Sequence, residues 1–422
     1  MEKAGFIGRH RKTILLLIGN LVALLIIFSA NAQNSEGYIY GKVYTYRQTY
    51  QGQIRWGKEE SFWNDYFDVK KTRDTYRQTY ASQNDRNNSG QSDSFWDELD
   101  WSLSSIWEDK KYSTNPFSTQ FGNLAVIINR GRSRVDVQLK NGVELELNGS
   151  GYNDVGSSIT VYDDELGRIK LDWDRVDKVE FMATPPDLKV QGGRPLYGVV
   201  ETFRKGTYEG YIQWDHDERL GDDILDGDSR DGDMDIPFRS IKMIQKERGG
   251  SLVILNSGRE FLLRGTNDVN EDNDGIIVSV DGIGKIDIPW KTFEKVEFRK
   301  VDSSGPSYDS YRVPQGLAGT VVTYDDERFE GRLIYDLDEA TEVETLDADD
   351  DDIEYKIEFG NVKRIIPKNS EYSRVIMKNG EELFLGGSND VDDRNSGILV
   401  FERNKKDPLF IKWRDVAEVI FE

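Results

Sequence analysis

Several residue types on which catalytic or cross-linked proteins depend are missing or scarce in this 422-residue chain. It contains no cysteine, which excludes disulfide bonds and thiolate metal sites. Its two histidines, His10 and His216, leave little material for histidine-based triads or zinc sites. We therefore expect a protein that is not an enzyme and whose modules are held together by their cores or by bound ions.

Long apolar segments are also lacking, with one exception near the N-terminus. Basic residues at 9–12 precede an apolar core over 14–28 and a small-residue site at 30–32. That core is shorter than the roughly 20 residues of a membrane-spanning helix. We predict that residues 1–32 are a cleavable signal peptide, with an uncleaved anchor as the alternative. The mature chain is then expected in the periplasm or outside the cell, with no stable membrane span.

Basic residues are fewer than acidic ones. The chain has 77 acidic and 55 basic residues, for a formal net charge of −22. Such a surface repels nucleic acid and favours cations, basic partners or solubility. The expected partner is therefore a protein or polysaccharide of the cell envelope, and not a nucleic acid.

What the chain does have is an internal repeat. An aromatic residue followed by aliphatic residues three and six positions later occurs six times, starting at Phe121, Trp173, Phe238, Trp290, Phe359 and Trp413. Phe and Trp alternate, so the unit is a pair of half-modules repeated three times. The predicted division is signal peptide 1–32, repeat one 33–184, linker 185–195, repeat two 196–302, linker 303–314 and repeat three 315–422.

Within each repeat the pattern is that of short antiparallel strands. Apolar and polar residues alternate, and hairpin turns are marked by Asn141-Gly142, Ser257-Gly258 and Asn379-Gly380. The three tryptophans of the spacing motif each lie eight residues before a phenylalanine and should be buried. The pattern resembles SH3-like or Sm-like small β-barrels and exported bacterial repeat proteins built from them, a resemblance that implies no activity. We predict an all-β fold of three tandem repeats, each a pair of SH3-like half-modules.

Repeat one carries an insertion over residues 70–116. Its first part is polar and is expected to be disordered. Its second part has apolar residues at 95, 96, 99, 103, 106 and 107, which is helical spacing, and its candidate docking residues are Phe95, Trp96, Trp101 and Trp107. This helix either packs on its own barrel or docks on a partner or a membrane surface. Its tryptophans would also suit stacking on sugars.

Acidic residues recur at matched positions after the second strand of each repeat. These clusters are Glu60, Asp65 and Asp68, then Glu218, Asp223 and Asp226, then Glu339, Glu344 and Asp347. Carboxylates at a constant spacing are suitable ligands for calcium. The alternative is an exposed acidic loop whose residues cap turns and protect a strand edge.

A segment of repeat two resembles an EF-hand-type calcium loop. Asn270, Asp272, Asp274 and Asp281 stand at positions 1, 3, 5 and 12 of the loop, with Gly275 at position 6. Asn at the first position and Asp at the twelfth depart from the motif, and the flanking segments are strands. The alternative is an Asx-rich hairpin loop. Calcium is therefore the one cofactor that the sequence suggests.

A further motif, Asn-Asp-Val, occurs once in each repeat at 153–155, 267–269 and 389–391. A β-bulge or an Asx turn accounts for it, and a ligand site is the other interpretation. Taken together, the sequence predicts an exported, acidic binding or scaffolding protein of the cell envelope. The alternative is a calcium-dependent carbohydrate-binding protein or glycoside hydrolase.

Overall fold

The computed structural model describes residues 35–71, 116–403, 405 and 408–422. This part of the chain is all-β, and its helical segments are single 3-10 turns of three residues. No helix in it has the length and apolar character needed to cross a membrane. The predicted signal peptide and the insertion residues Phe95, Trp96, Trp101 and Trp107 lie outside the described residues.

In the part of the chain that the structure describes, thirty strands are distributed evenly over the three repeats. In repeat one they are β1 (Tyr40–Thr45), β2 (Thr49–Trp56), β3 (Tyr66–Lys71), β4 (Pro116–Gln120), β5 (Leu124–Asn129), β6 (Arg134–Leu139), β7 (Glu144–Asn148), β8 (Ile159–Asp163), β9 (Gly167–Leu171) and β10 (Val176–Phe181). In repeat two they are β11 (Tyr197–Thr202), β12 (Gly206–Trp214), β13 (Ile224–Ser229), β14 (Gly232–Pro237), β15 (Ile241–Glu247), β16 (Gly250–Leu255), β17 (Glu260–Leu263), β18 (Ile276–Val280), β19 (Gly284–Ile288) and β20 (Phe293–Phe298). In repeat three they are β21 (Ala318–Thr323), β22 (Arg328–Ile334), β23 (Thr345–Asp350), β24 (Ile353–Glu358), β25 (Val362–Pro367), β26 (Tyr372–Met377), β27 (Glu382–Gly386), β28 (Ile398–Phe401), β29 (Leu409–Ile411) and β30 (Val416–Phe421).

Several antiparallel strand pairings of repeat one recur in the other two repeats. In repeat one the order across the sheet is β4-β3-β7-β6-β5-β10-β1-β2-β8-β9. Its pairings β1–β10, β2–β8 and β5–β10 recur as β11–β20, β12–β18 and β15–β20 in repeat two, and as β21–β30, β22–β28 and β25–β30 in repeat three. The repeats also differ, because β13 and β14 form a separate two-stranded sheet and β19 of repeat two pairs with β24 of repeat three. The described residues therefore have a repeat-like antiparallel sheet architecture.

The two half-modules of a repeat exchange strands. Strand β2 pairs with β8 and not with β3, whereas β3 pairs with β7. One five-stranded group is thus β3 to β7, and the other is β1 and β2 completed by β8, β9 and β10. These groups differ from the halves predicted from the sequence, which are β1 to β5 and β6 to β10. Each half supplies strands to both groups, so neither half has a complete set of pairing partners alone.

Matched glycines permit this close pairing. A Cβ atom on Gly52 would lie 2.0 Å from the carbonyl oxygen of Tyr162 in the facing strand. Gly210 and Gly331 stand at the same position in the other repeats, with corresponding distances of 2.1 and 2.3 Å. Any side chain there would displace backbone, which explains why the sequence keeps glycine at this position in all three repeats.

The core of each repeat contains a pair of large aromatic residues. Trp173, Trp290 and Trp413 are only 5–6% exposed, so the prediction that they are buried is confirmed. Each packs against an aromatic residue at the end of the second strand of its repeat, with ring centroids 5.8–5.9 Å apart. Those partners are Trp56, Trp214 and Tyr335. Burial of such large apolar surfaces stabilises small β-modules strongly.

Candidate functional site

The middle residue of the first acidic cluster closes a turn and joins two repeats. One carboxylate oxygen of Asp65 accepts the backbone N–H groups of Ser61 and Phe62 at 2.7 and 2.8 Å. The other accepts two hydrogen bonds from the guanidinium of Arg219 in repeat two, at 2.9 and 3.0 Å. This carboxylate therefore caps a turn and forms a buried ion pair between repeats.

The matched residues of the other clusters do the same. Asp223 caps its own turn and forms a bidentate pair with Arg55 of repeat one, at 2.7 and 3.0 Å. Glu344 caps its turn and pairs with Lys71 of repeat one at 2.6 Å. These middle carboxylates are thus occupied by backbone amides and by basic side chains of a neighbouring repeat.

The third residue of the first cluster, Asp68, lies where all three repeats meet. Lys356 of repeat three and Lys285 of repeat two approach its carboxylate at 2.7 and 3.3 Å. Burial by itself would raise the pKa of Asp68, but the two lysines lower it below its usual value. The matched Asp226 and Asp347 stand on strands β13 and β23.

The first residue of each cluster meets the aspartate of the Asn-Asp-Val motif. In repeat one, carboxylate oxygens of Glu59, Glu60 and Asp154 all lie within 4.8 Å of one another. In repeat two the same is true of Asp215, Glu218 and Asp268. The sequence showed both motifs but did not indicate that they converge, because they lie far apart in the chain and only strand pairing brings their loops together.

Local structure fixes the aspartate of this pair. In repeat two the indole N–H of Trp214 donates to the backbone carbonyl of Asp268 at 2.9 Å. One carboxylate oxygen of Asp268 also accepts the backbone N–H of Asp226 at 2.7 Å. The core tryptophan and strand β13 therefore hold Asp268 in place. The same two contacts recur at Asp154 in repeat one, and at Asp390 in repeat three the hydroxyl of Tyr335 donates in place of the indole.

The three carboxylates of repeat two, which we call the loop-carboxylate cluster, repel one another. Burial, with the carboxylates of Asp268 and its neighbours, raises the pKa of Glu218 to about 9. Burial likewise raises the pKa of Asp215 to about 6. The backbone of Asp215 is in the left-handed region, at φ 50°, a conformation that turns the loop back over the cluster. A cluster of this kind needs protons or a cation to be stable.

A small cavity lies over the matching carboxylates of repeat one. It has a volume of about 120 Å³, and its lining includes Glu59, Glu60, Asp154, His216 and Lys285. Small-molecule sites are commonly about 300–1,000 Å³. This cavity is therefore too small for a sugar ring and is closer in size to a hydrated ion.

A larger open cleft of about 710 Å³ lies between the β8–β9 hairpin and the linker after repeat one. Tyr162, Asp163, Arg168 and Lys189 are among its lining residues. One carboxylate oxygen of Asp163 accepts two backbone N–H groups of its own turn, and the other accepts the backbone N–H of Gln51 in strand β2. The cleft has the volume of a ligand site, but its lining combines charged, polar and apolar residues and is open to solvent.

The structure does not bring the predicted EF-hand-type residues together. Asn270 accepts the backbone N–H of Asp272, which is an Asx turn. Asp274 precedes strand β18 and Asp281 follows it. That strand has five residues and spans roughly 17 Å at the usual rise. Asp281 is therefore too far from the other three to share one ion with them.

Exposed aromatic residues occupy one hairpin tip in every repeat. Tyr46, Phe203 and Tyr324 each follow the last residue of the first strand and are 91%, 56% and 65% exposed. Backbone bonds from Phe203 to Thr292 and from Tyr324 to Asp415 anchor two of the tips. These residues are not among the sites predicted from the sequence, although a threonine-aromatic pair recurs at 45–46, 202–203 and 323–324.

The insertion takes the place of a two-residue hairpin turn. In repeat two, Ser229 pairs with Gly232 across the turn of β13 and β14. In repeat three, Asp350 pairs with Ile353 across the turn of β23 and β24. In repeat one the matching strands β3 and β4 end at Lys71 and begin at Pro116. The ends of the insertion are therefore the two sides of one hairpin.

Comparisons with known proteins add little to this geometry. No protein-family model matches the chain, and no curated protein matches it. Among solved structures, the nematode sperm cell motility protein MFP2B is similar at 9% identity over 84% of this chain and 88% of that chain, with a TM-score of 0.10. A likeness at that level carries no argument about fold or function.

Proposed function

We propose that the protein is an exported, non-catalytic binding or scaffolding module of the cell envelope. The observation that carries this proposal is the exposed aromatic residue at the same hairpin tip of all three repeats. Buried residues that occur at the same position of every repeat are explained by the packing of the core. An exposed aromatic residue has no such reason to recur, since exposing it gains no burial energy.

The arrangement of the tips favours a repeating polymer as the partner. Tyr46, Phe203 and Tyr324 belong to three separate repeats, and each repeat offers one aromatic ring on its own hairpin. Three copies of one recognition element suit a ligand that presents the same chemical unit several times, and joint engagement strengthens binding. An envelope polysaccharide has that character, with sugar rings stacking on aromatic faces. A protein partner is the competing occupant.

A finer account of the fold goes with this function. We propose that each five-stranded group, such as β10-β1-β2-β8-β9, is a small SH3-like barrel and that each repeat is two such barrels with exchanged strands. Strand number, antiparallel pairing and the 3-10 turn before the last strand support this interpretation. It is also the basis of the proposed similarity to exported bacterial repeat proteins.

The calcium-dependent alternative has one observation in its favour, which is the convergence of three carboxylates in repeats one and two. A glycoside hydrolase needs two carboxyl groups about 5–9.5 Å apart on either side of an open sugar site. These oxygens are within 4.8 Å of one another, and in repeat one they line a cavity of about 120 Å³. The geometry therefore favours a bound cation over glycosidase chemistry.

The test of the binding proposal is a triple substitution, Tyr46→Ser with Phe203→Ser and Tyr324→Ser. Wild-type and variant proteins are incubated with purified peptidoglycan and with surface polysaccharide, and the bound fraction is measured by co-sedimentation. We expect at least a tenfold loss of affinity. Leu166→Ser is the matched control, because Leu166 is 64% exposed in the β8–β9 hairpin, whereas Ile283 at the matching position of repeat two is buried.

Two results would contradict the proposal. One is equal binding of wild-type protein and triple variant to every envelope polysaccharide tested. The other is a loss of binding as large in the Leu166→Ser control. If polysaccharides fail and an envelope protein binds through the same three tips, the binding role holds and the occupant is a protein.

A further inference from the structure

Most carboxylates at the junctions of this molecule are neutralised by a basic side chain. Asp65 has Arg219, Asp223 has Arg55, and Glu344 has Lys71. The loop-carboxylate cluster of repeat two is an exception. Among the described residues, no lysine or arginine forms an ion pair with Asp215, Glu218 or Asp268. A group of three buried or half-buried carboxylates without a counter-ion is costly.

The nearest basic groups are directed elsewhere. Lys58 of repeat one binds Asp217 at 3.1 Å, and its side chain is 77% exposed. The ring of His216 contacts Asp287 at 3.1 Å. Neither group forms an ion pair with a carboxylate of the cluster, although the charge of Lys58 opposes, from across the repeat junction, the rise in the pKa of Asp268 that burial causes.

One oxygen of the cluster is left without any partner. Oε2 of Glu218 is inaccessible to solvent and has no hydrogen-bond partner among the described residues. Oε2 of Glu339, the matching glutamate of repeat three, is also unpartnered, and Glu339 is only 6% exposed. Burial raises the pKa of Glu339 well above its usual value, and the charges of Asp338, Asp390 and Asp336 raise it further, against the opposite effect of Lys71. The same unsatisfied acceptor thus recurs in two repeats, facing the same motif aspartate.

We propose that the loop-carboxylate cluster of repeat two, formed by Asp215, Glu218 and Asp268, binds a divalent cation of the calcium type. Calcium takes oxygen ligands at about 2.3–2.6 Å, so two ligands on one ion stand up to roughly 5 Å apart. Carboxylate oxygens within 4.8 Å of one another meet that requirement. Both oxygens of Asp215 also accept a hydrogen bond, from Asn267 and from the backbone N–H of Asp274, which holds this carboxylate in the loop. The unpartnered oxygen of Glu218 becomes a ligand.

This site is different from the EF-hand-type loop suggested by the sequence. It uses the residue after the core tryptophan, the first residue of the acidic cluster and the aspartate of the Asn-Asp-Val motif. Its ligands come from two loops that the pairing of β12 with β18 brings together. It is also separate from the hairpin-tip aromatic residues. The polysaccharide proposal and the cation proposal can therefore be tested independently of each other.

Terbium luminescence is the direct test, because Tb³⁺ substitutes for Ca²⁺ and is excited by a nearby tryptophan. Trp214 donates to Asp268 at 2.9 Å and is therefore placed to sensitise an ion in the cluster. The full-length mature protein is titrated with Tb³⁺ and then with Ca²⁺ and Mg²⁺ as competitors. The number of calcium ions per chain is measured separately by equilibrium dialysis.

Glu218→Gln removes one ligand charge while keeping the size of the side chain. We expect it to lower the number of bound calcium ions by one per chain and to weaken sensitised emission. Asp281→Asn is the matched control in the same repeat, since Asp281 is exposed and lies beyond strand β18. It should bind as many ions as wild type. Melting curves without calcium confirm that both variants are folded.

Calcium should also raise the melting temperature of wild type more than that of Glu218→Gln, because a ligand of the folded state stabilises it by mass action. Three results would overturn the proposal. These are no saturable binding by wild type at millimolar calcium, an unchanged ion count in folded Glu218→Gln, and loss of the ion in Asp281→Asn instead.

Discussion

Arg219 offers a sharp test of how the repeats are held together. Its side chain is 1% exposed and belongs to repeat two, but its guanidinium donates to Asp65 of repeat one at 2.9 and 3.0 Å. A third bond reaches the carbonyl of Ile212 at 3.0 Å, and the guanidinium lies 4.7 Å from the ring centroid of Phe62. Substitution Arg219→Met keeps the apolar stem and removes all of these polar contacts.

The expected cost follows from the burial of the pair. Removing one partner of a buried ion pair leaves the other charge uncompensated and costs about 3–5 kcal/mol. Arg175→Met is the control, because Arg175 and Asp172 are 3.7 Å apart with side chains 71% and 66% exposed. An exposed pair of this kind contributes about 1 kcal/mol or less.

Urea unfolding, followed by tryptophan fluorescence, measures both variants. We expect a large shift of the midpoint for Arg219→Met and a small one for Arg175→Met. The double variant Arg219→Met with Asp65→Asn should recover part of the loss, because it removes the unpaired charge. If Arg219→Met unfolds at the same urea concentration as Arg175→Met, the buried pair does not hold repeats one and two together.

Three other predictions concern the core, pH and the insertion. Trp290→Ala should cost about 3–5 kcal/mol as a large-to-small core change, whereas Tyr324→Ala at an exposed tip should leave the melting temperature nearly unchanged. Burial raises the pKa of Glu358 to about 7 from 4.5, so the folded state retains a proton that the unfolded state has lost. Stability should therefore fall as pH rises from about 4.5 to 7, and Glu358→Gln should flatten that part of the pH profile. Replacing residues 72–115 by Asn-Gly should keep all three repeats folded, as circular dichroism would show, while reducing binding to the envelope partner if the insertion is a docking surface.

Much of the architecture was accessible from the sequence because packing residues repeat with the fold. The burial of Trp173, Trp290 and Trp413 followed from their constant distance to a phenylalanine. The hairpin turns followed from glycine, and Gly142 and Gly380 indeed adopt φ of 82° and 93°. Both kinds of signal are local, since they depend on strand period and turn geometry alone.

The exchange of strands could not be predicted in the same way. Strand β2 alternates apolar and polar residues, and that pattern is satisfied equally by β3 or by β8 as its neighbour. Pairing partners are decided by the whole set of contacts, and the sequence of one chain does not display them. The exchange joins strands far apart in the chain, which also separates the residues of any site between them.

The candidate cation site was missed for this reason. Glu218 and Asp268 each belonged to a recognised motif, but the two motifs were treated as separate features. Only the pairing of β12 with β18 brings their loops together. Conversely, the EF-hand-type spacing was a local match, and strand β18 keeps its last member, Asp281, away from the others.

We have proposed that the protein binds through three equivalent hairpin tips. The sharpest test compares the affinity for a purified envelope polysaccharide across the single variants of Tyr46, Phe203 and Tyr324, the double variants and the triple variant. We expect a graded loss, with each removed ring weakening binding further because the tips act together. Binding that depends on only one tip, or on none, would refute the proposal.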